Sequence, residues 1–132
     1  MKKDRKKMWQ VVCLFVLSMI LSDAFGAMGA EADAKAYEFI IPDVDIEYLS
    51  SADIQDMPLQ VVCYAKNEIY ARRGRIFDSQ ELNDYFYSKP WYYGRILPED
   101  FSSDVFNKYE LANITLLDGY ERALDPNGYQ LY

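Results

Sequence analysis

The 132-residue chain contains no histidine. That removes every Ser-His-Asp and Cys-His arrangement and every His-ligated metal from what one subunit can build. Cysteine is nearly as scarce, with only Cys13 and Cys63. Cys13 lies in an N-terminal apolar run and follows Gln10 at −3, where a lipid-attachment signal wants an aliphatic residue, so it is not read as a lipidation site. Cys63 then stands alone, which excludes a disulfide scaffold and makes it a small core residue. Positive charge is also short. From Ala27 onward, nine basic residues face nineteen acidic ones, a net charge of −10. Nucleic-acid binding needs a basic surface to neutralise phosphates, so nucleic acid is excluded as a partner. No cofactor or metal motif is present. Asp43-x-Asp45-x-Glu47 has the start of a calcium loop but lacks its glycine and its distal glutamate.

The N-terminus is organised differently. Lys2-Lys3-Asp4-Arg5-Lys6-Lys7 is a basic head, and Val11 to Leu21 is a nearly unbroken apolar run. Small residues follow, with cleavage options after Gly26, Gly29 or Ala32. This pattern describes a secretory signal peptide, taken as residues 1–29. The apolar run is too short to span a bilayer, which takes about 20 residues. No stable membrane span is expected after cleavage, and the protein is expected to be secreted or associated with the cell envelope. Residues 30–36 alternate small and charged side chains and read as a flexible spacer.

The remainder predicts one domain over residues 37–125 and a tail over 126–132. Tyr37 to Pro42 reads as an extended arm. Ser50 with Asp53 and the Leu49/Ile54 pair mark a short helix start. Pro58 to Arg73 reads as a helix on the Leu59, Val62, Ala65, Ile69 stripe, with Gly74 as its stop. Asp78 is the expected cap of the next helix, which presents Leu82, Tyr85 and Phe86 and ends before Pro90. Trp91-Tyr92-Tyr93-Gly94 is an aromatic loop. A last helix is expected from Ser102 or Ser103, with Phe106, Tyr109, Asn113, Leu116, Tyr120 and Leu124 inward, Ala112 and Leu117 adding to that face, and fraying or an end near Gly119. The fold class is all-α: a compact orthogonal bundle of three main helices plus one short helix, with an extended N-terminal arm.

Tyr70-Ala71-Arg72-Arg73-Gly74 resembles the signature of the YARHG domain family, with Arg73 where the family pattern has histidine. The likeness extends to Leu49-Ser50-x-x-Asp53-Ile54, to Ala65-x-Asn67-Glu68-Ile69, to Gly74-x-Ile76-Phe77 and to Leu82-x-x-Tyr85-Phe86. It continues through Trp91-Tyr92 and Tyr109-Glu110-x-Ala112-Asn113-Ile114. The resemblance implies a bacterial, extracytoplasmic, mostly helical domain and implies no activity. The substitution at Arg73 removes any proton-transfer or metal role for that position.

No catalytic residue is assigned. Two readings of the signature stretch stand side by side. In one, Asn67, Glu68, Gly74 and Asp78, with Arg72 at i+4 from Glu68, form a structural network at the helix end. In the other, Arg72, Arg73 and Arg75 form a basic island that receives a carboxylate or phosphate, with Tyr70, Trp91 and Tyr92 as a stacking platform. The resulting expectation is a non-catalytic interaction module whose partner is an unknown protein or a cell-wall glycan or peptide. A small carboxylate-dependent hydrolase and a ligand-free stability or spacer domain are the alternatives.

Overall fold

The structure, a computed structural model, describes residues 39–132. The expected signal peptide, the spacer, Cys13 and Tyr37 lie outside the described residues. Within the described part, residues 39–42 and the compact unit Asp43–Tyr132 are separate units. Residues 39–42 form bends and the start of a turn rather than a strand.

The compact unit contains four α-helices: α1 (Ser51–Ile54), α2 (Leu59–Arg72), α3 (Gln80–Tyr87) and α4 (Lys108–Leu124). Two 3-10 turns, Pro98–Asp100 and Ser103–Val105, lie between α3 and α4. The described residues contain no strand, only one isolated parallel bridge between Arg75 and Ile96. The all-α expectation holds.

Each helix boundary has a local cause. Asp53 accepts the backbone N–H of Ser50 at 2.8 Å and so caps α1 from its third position. Pro58 precedes α2 with extended backbone (ψ 154°), where its missing N–H costs no hydrogen bond. The cap of α3 is Ser79 rather than Asp78: its Oγ accepts from Leu82 N at 3.2 Å, while Asp78 is exposed. The α4 start also differs from expectation. Ser102 caps only the short 3-10 turn by accepting from Asp104 N. The helix proper begins after Asn107, whose Oδ1 accepts from Tyr109 N and Glu110 N at 2.9 and 3.0 Å. Glu110 completes the reciprocal cap by accepting Asn107 N at 2.8 Å.

α2 packs against both α4 and α3. Val62, Ala65 and Ile69 of α2 are buried, as the stripe predicts, together with Ile54, Met57, Phe106 and Leu117. A second apolar cluster joins Ala71, Phe77, Leu82, Phe86 and Tyr92, with Tyr64, Tyr70, Tyr85 and Trp91 against it. The buried face of α4 keeps Asn113 and Leu117 of the expected one but adds Glu110 and Glu121. It consists of Glu110, Asn113, Leu117 and Glu121, so three of its four residues are polar. Glu110 is held by Arg73, Asn113 by the 44–49 loop and Glu121 by Lys66, as burial of polar groups requires. Leu124, expected inward, is 46 % exposed.

α4 also runs through Gly119 to Leu124 without ending. A Cβ at Gly119 would meet nothing within 4 Å. Gly119→Ala is therefore expected to raise unfolding stability by about 1 kcal/mol, from propensity alone. Urea denaturation read by circular dichroism checks this, and no gain would mean that the glycine is needed for helix packing.

The last residues are tied down. Asp125 to Gly128 turns the chain, with Gly128 at φ 69° and Gly128 N donating to Asp125 O at 2.8 Å. Tyr129 N then donates to Glu121 Oε1 at 2.9 Å, and the Tyr129 hydroxyl to Glu81 Oε1 at 2.9 Å. The Tyr132 carbonyl accepts from Ser79 Oγ and Glu81 N, at the first turn of α3.

Candidate functional site

The signature stretch ends α2 in a Schellman motif. Gly74 takes φ 85°, a conformation only glycine adopts without strain. Gly74 N donates to Ala71 O at 2.9 Å and Arg75 N to Tyr70 O at 3.3 Å, the paired bonds of this helix end. Arg95 lies over the glycine. A Cβ there would sit 2.6 Å from Arg95 Nη1. Backbone bonds from Arg95 N and Ile96 N to Gly74 O, and from Ile76 N to Ile96 O, lash the following loop to this turn.

This geometry separates the three arginines. Arg72 Nη2 lies 3.3 Å from Asp45 Oδ1. Arg73 forms a fork on Glu110, with Nε to Oε1 at 2.8 Å and Nη2 to Oε2 at 2.7 Å, and Glu110 is 2 % exposed. Hydrogen bonding to Glu110 raises the Arg73 pKa, so the guanidinium stays charged. Neither Arg72 nor Arg73 offers an open island. Their acids come from distant parts of the chain.

Arg75 is different. Its guanidinium carbon lies 5.3 Å from the Tyr70 ring centroid, 5.5 Å from Phe77 and 5.8 Å from Phe101. The Schellman motif is usually accompanied by an apolar contact between the residue after the glycine and the third-last helical residue. Here that contact is Arg75 on Tyr70, a cation–π pair. Arg75 Nε is fully buried and has no hydrogen-bond acceptor.

Trp91 and Tyr92 belong to the second apolar cluster rather than to an open platform. Trp91 packs 6.1 Å from Phe86, and Tyr92 is 8 % exposed. The Tyr92 hydroxyl donates to Arg75 O at 2.6 Å, and burial pushes its pKa up to about 12. Tyr93 of the same loop is 72 % exposed. Of the residues grouped as a structural network, Asn67 donates back to Cys63 O at 2.9 Å, Glu68 is buried, and Asp78 is exposed.

A half-open groove of about 650 Å³ runs beside this turn, between α2, α4 and residues 127–131. Arg75, Tyr70 and Asn67 stand on its lining, as do Cys63, Lys66, Asp118, Glu121 and Arg122. Its charges are largely spent on one another. Lys66 Nζ is 2.9 Å from Asp118 and 2.7 Å from Glu121 Oε2. The latter oxygen is paired by charge rather than by an aligned hydrogen bond. Arg122 Nε is 3.1 Å from Asp118 Oδ2. Lys66 and Arg122 together hold the Asp118 pKa below its ordinary value. A lowered carboxylate is suited to holding a cation, not to donating a proton at neutral pH. Arg75 is the one cation of the groove lining without a carboxylate partner among the described residues. No group of three or more Asp, Glu or Cys is placed to hold a metal among the described residues.

Sequence reasoning missed three polar residues that shape this region. They are Glu81, which gathers Tyr64, Tyr129 and Gln60; Glu121, which holds Lys66 and the Tyr129 backbone; and Arg95 over Gly74. The usable signal for Glu121 was its place four residues after Leu117, on the inward side of α4. Burial would raise the Glu81 pKa, but the hydrogen bonds from Tyr64, Tyr129 and Gln60 outweigh it and hold the carboxyl low.

Cys63 is buried and unpaired by any disulfide. Burial, reinforced by Glu121, pushes its thiol up to about 12. The native protein should therefore resist alkylation at pH 8 and react fully once unfolded in guanidinium. Mass spectrometry after iodoacetamide checks this, and rapid native labelling would mean that the groove opens to Cys63.

A family model, the YARHG domain, matches residues 37–122. No curated protein and no solved structure matches the chain. No helix among the described residues is long and apolar enough to cross a membrane.

Proposed function

The chain belongs to the YARHG domain family, and on that premise we propose that it is an exported, non-catalytic interaction module of the bacterial cell envelope or exterior. Its contact surface is the groove beside the α2 end, with Arg75 as the central contact. One observation carries this reading: Arg72 and Arg73 are consumed by Asp45 and Glu110, whereas Arg75 borders an open groove with no acid beside it. The export assignment rests on the basic head and short apolar run of residues 1–29. The low pKa of Asp118 supports binding over proton-transfer chemistry in the groove. The partner is an envelope protein or a cell-wall glycan or peptide.

Capture from an envelope fraction tests the proposal. The wild-type domain should retain a defined partner, and Arg75→Ala should lose it while Arg95→Ala keeps it. Equal capture by wild type and Arg75→Ala would remove the groove as the contact surface. Turnover of an envelope substrate without stable capture would replace the binding reading with a catalytic one.

A further inference from the structure

We propose that the groove takes a carboxylate group, held edge-on by the two Nη groups of Arg75. The biological use of such a site rests on the interaction-module reading above, but the chemistry follows from the Arg75 surroundings. Three aromatic rings, Tyr70, Phe77 and Phe101, surround the guanidinium at 5.3 to 5.8 Å. The collar is itself rigid: Tyr70 meets Phe106 edge-on at 5.0 Å, and Phe101 meets Phe106 at 5.6 Å. Rings occupy the space around the cation, and Nε is buried. The Nη edge is left for a ligand, and it makes no hydrogen bond to the described protein.

An edge of parallel N–H groups matches the two oxygens of a planar anion. A rigid, pre-placed fork loses little entropy when it binds. The sign and size of the ligand charge follow from the rest of the lining. Lys66 and Arg122 are neutralised by Asp118 and Glu121, which leaves one net positive charge on Arg75. The chain as a whole carries −7. A singly charged carboxylate is matched by that balance, whereas a dianionic phosphate would leave one negative charge uncompensated in the groove. The volume, about 650 Å³, is in the range of sites for small organic ligands or a few peptide residues.

The test is a titration of the intact chain followed by ¹H–¹⁵N NMR, including the Arg75 Nε–Hε signal. The probes are propionate, its neutral isostere propionamide, and inorganic phosphate. Two short peptides separate the sources of the carboxylate: one with a free C-terminus and no acidic side chain, the other C-terminally amidated with one glutamate. Propionate is expected to shift the Arg75 signals saturably, propionamide to leave them unmoved, and phosphate to act more weakly than propionate. Arg75→Lys keeps the charge but loses the fork, and should weaken propionate binding about tenfold. The wild-type contrast between propionate and propionamide needs no variant to fold. Equal response to propionamide, a stronger response to phosphate, or shifts confined to Lys66 and Arg122 would overturn the proposal. The two proposals fail separately. If propionate leaves Arg75 unmoved while envelope capture still depends on Arg75, the carboxylate falls and the module stands. If propionate binds and no partner is captured, the reverse holds.

Discussion

Replacing Asn113 by leucine should cost about 3 kcal/mol or more of unfolding free energy. Asn113 is 1 % exposed and spends its whole amide on the loop that leads into α1. Its Oδ1 accepts Leu49 N at 2.8 Å, and its Nδ2 donates to Val44 O and Glu47 O, both at 2.8 Å. Leucine keeps the branched heavy-atom skeleton but removes all three hydrogen bonds. Each backbone group left unpaired costs about 1–3 kcal/mol when buried, and the more exposed Glu47 end recovers some of this from water. For a domain of this size the loss corresponds to a fall in Tm of roughly 10–20 °C. Thermal unfolding by circular dichroism reads it directly. A loss below about 1 kcal/mol would mean that the 44–49 loop is held by other contacts and that the amide is incidental.

Arg73→Ala should cost about 2 kcal/mol. It strands the Glu110 carboxylate, which is 2 % exposed and keeps only Asn107 N as a partner. Breaking a buried ion pair from one side costs about 3–5 kcal/mol, and the value is lowered here because the Arg73 side chain is 37 % exposed and water can reach the gap. Arg73→Lys should recover part of the loss but not the two-pronged geometry. The more informative variant is Arg73→His, which restores the residue of the family pattern. A histidine beside Glu110 would have its folded pKa raised above the unfolded value of about 6.5. Its stabilising contribution is then fully present below that value and is lost as pH rises through the folded pKa. Arg73→His should therefore approach wild-type Tm near about pH 5.5 and fall away toward about pH 8, relative to a wild type measured in parallel. A constant difference across that range would show that position 73 does not sense Glu110.

These two residues also show where the sequence was legible. The end of α2 was readable because its causes are local: a glycine, a fixed hydrogen-bond pattern and the residues on either side. The α3 cap was misplaced by one residue because Asp78 and Ser79 carry the same capping chemistry and only the backbone decides between them. The α4 start was misplaced because Ser102 and Ser103 also open a helical turn, but it is a 3-10 turn that stops at Val105. The acid partners of Arg72 and Arg73 were not legible for a different reason. Asp45 is 27 residues from Arg72, and Glu110 is 37 from Arg73, so no local pattern pairs them. Asn113 stood in the expected inward stripe, a polar residue at a core position. That mismatch was the available sign of its role, but its partners lie 64 to 69 residues away.

The segment after α4 has a consequence for where this domain stops. The family-matched span ends at residue 122, yet Tyr129 and Tyr132 satisfy the carboxylates of Glu81 and Glu121 and close the first turn of α3. The recognisable unit and the physical unit therefore have different last residues. A protease cut or a fusion junction placed between them would leave the motif whole and remove the tyrosine hydrogen bonds from two buried acids. In any longer assembly, the ten residues beyond the match are part of the fold and cannot serve as a linker.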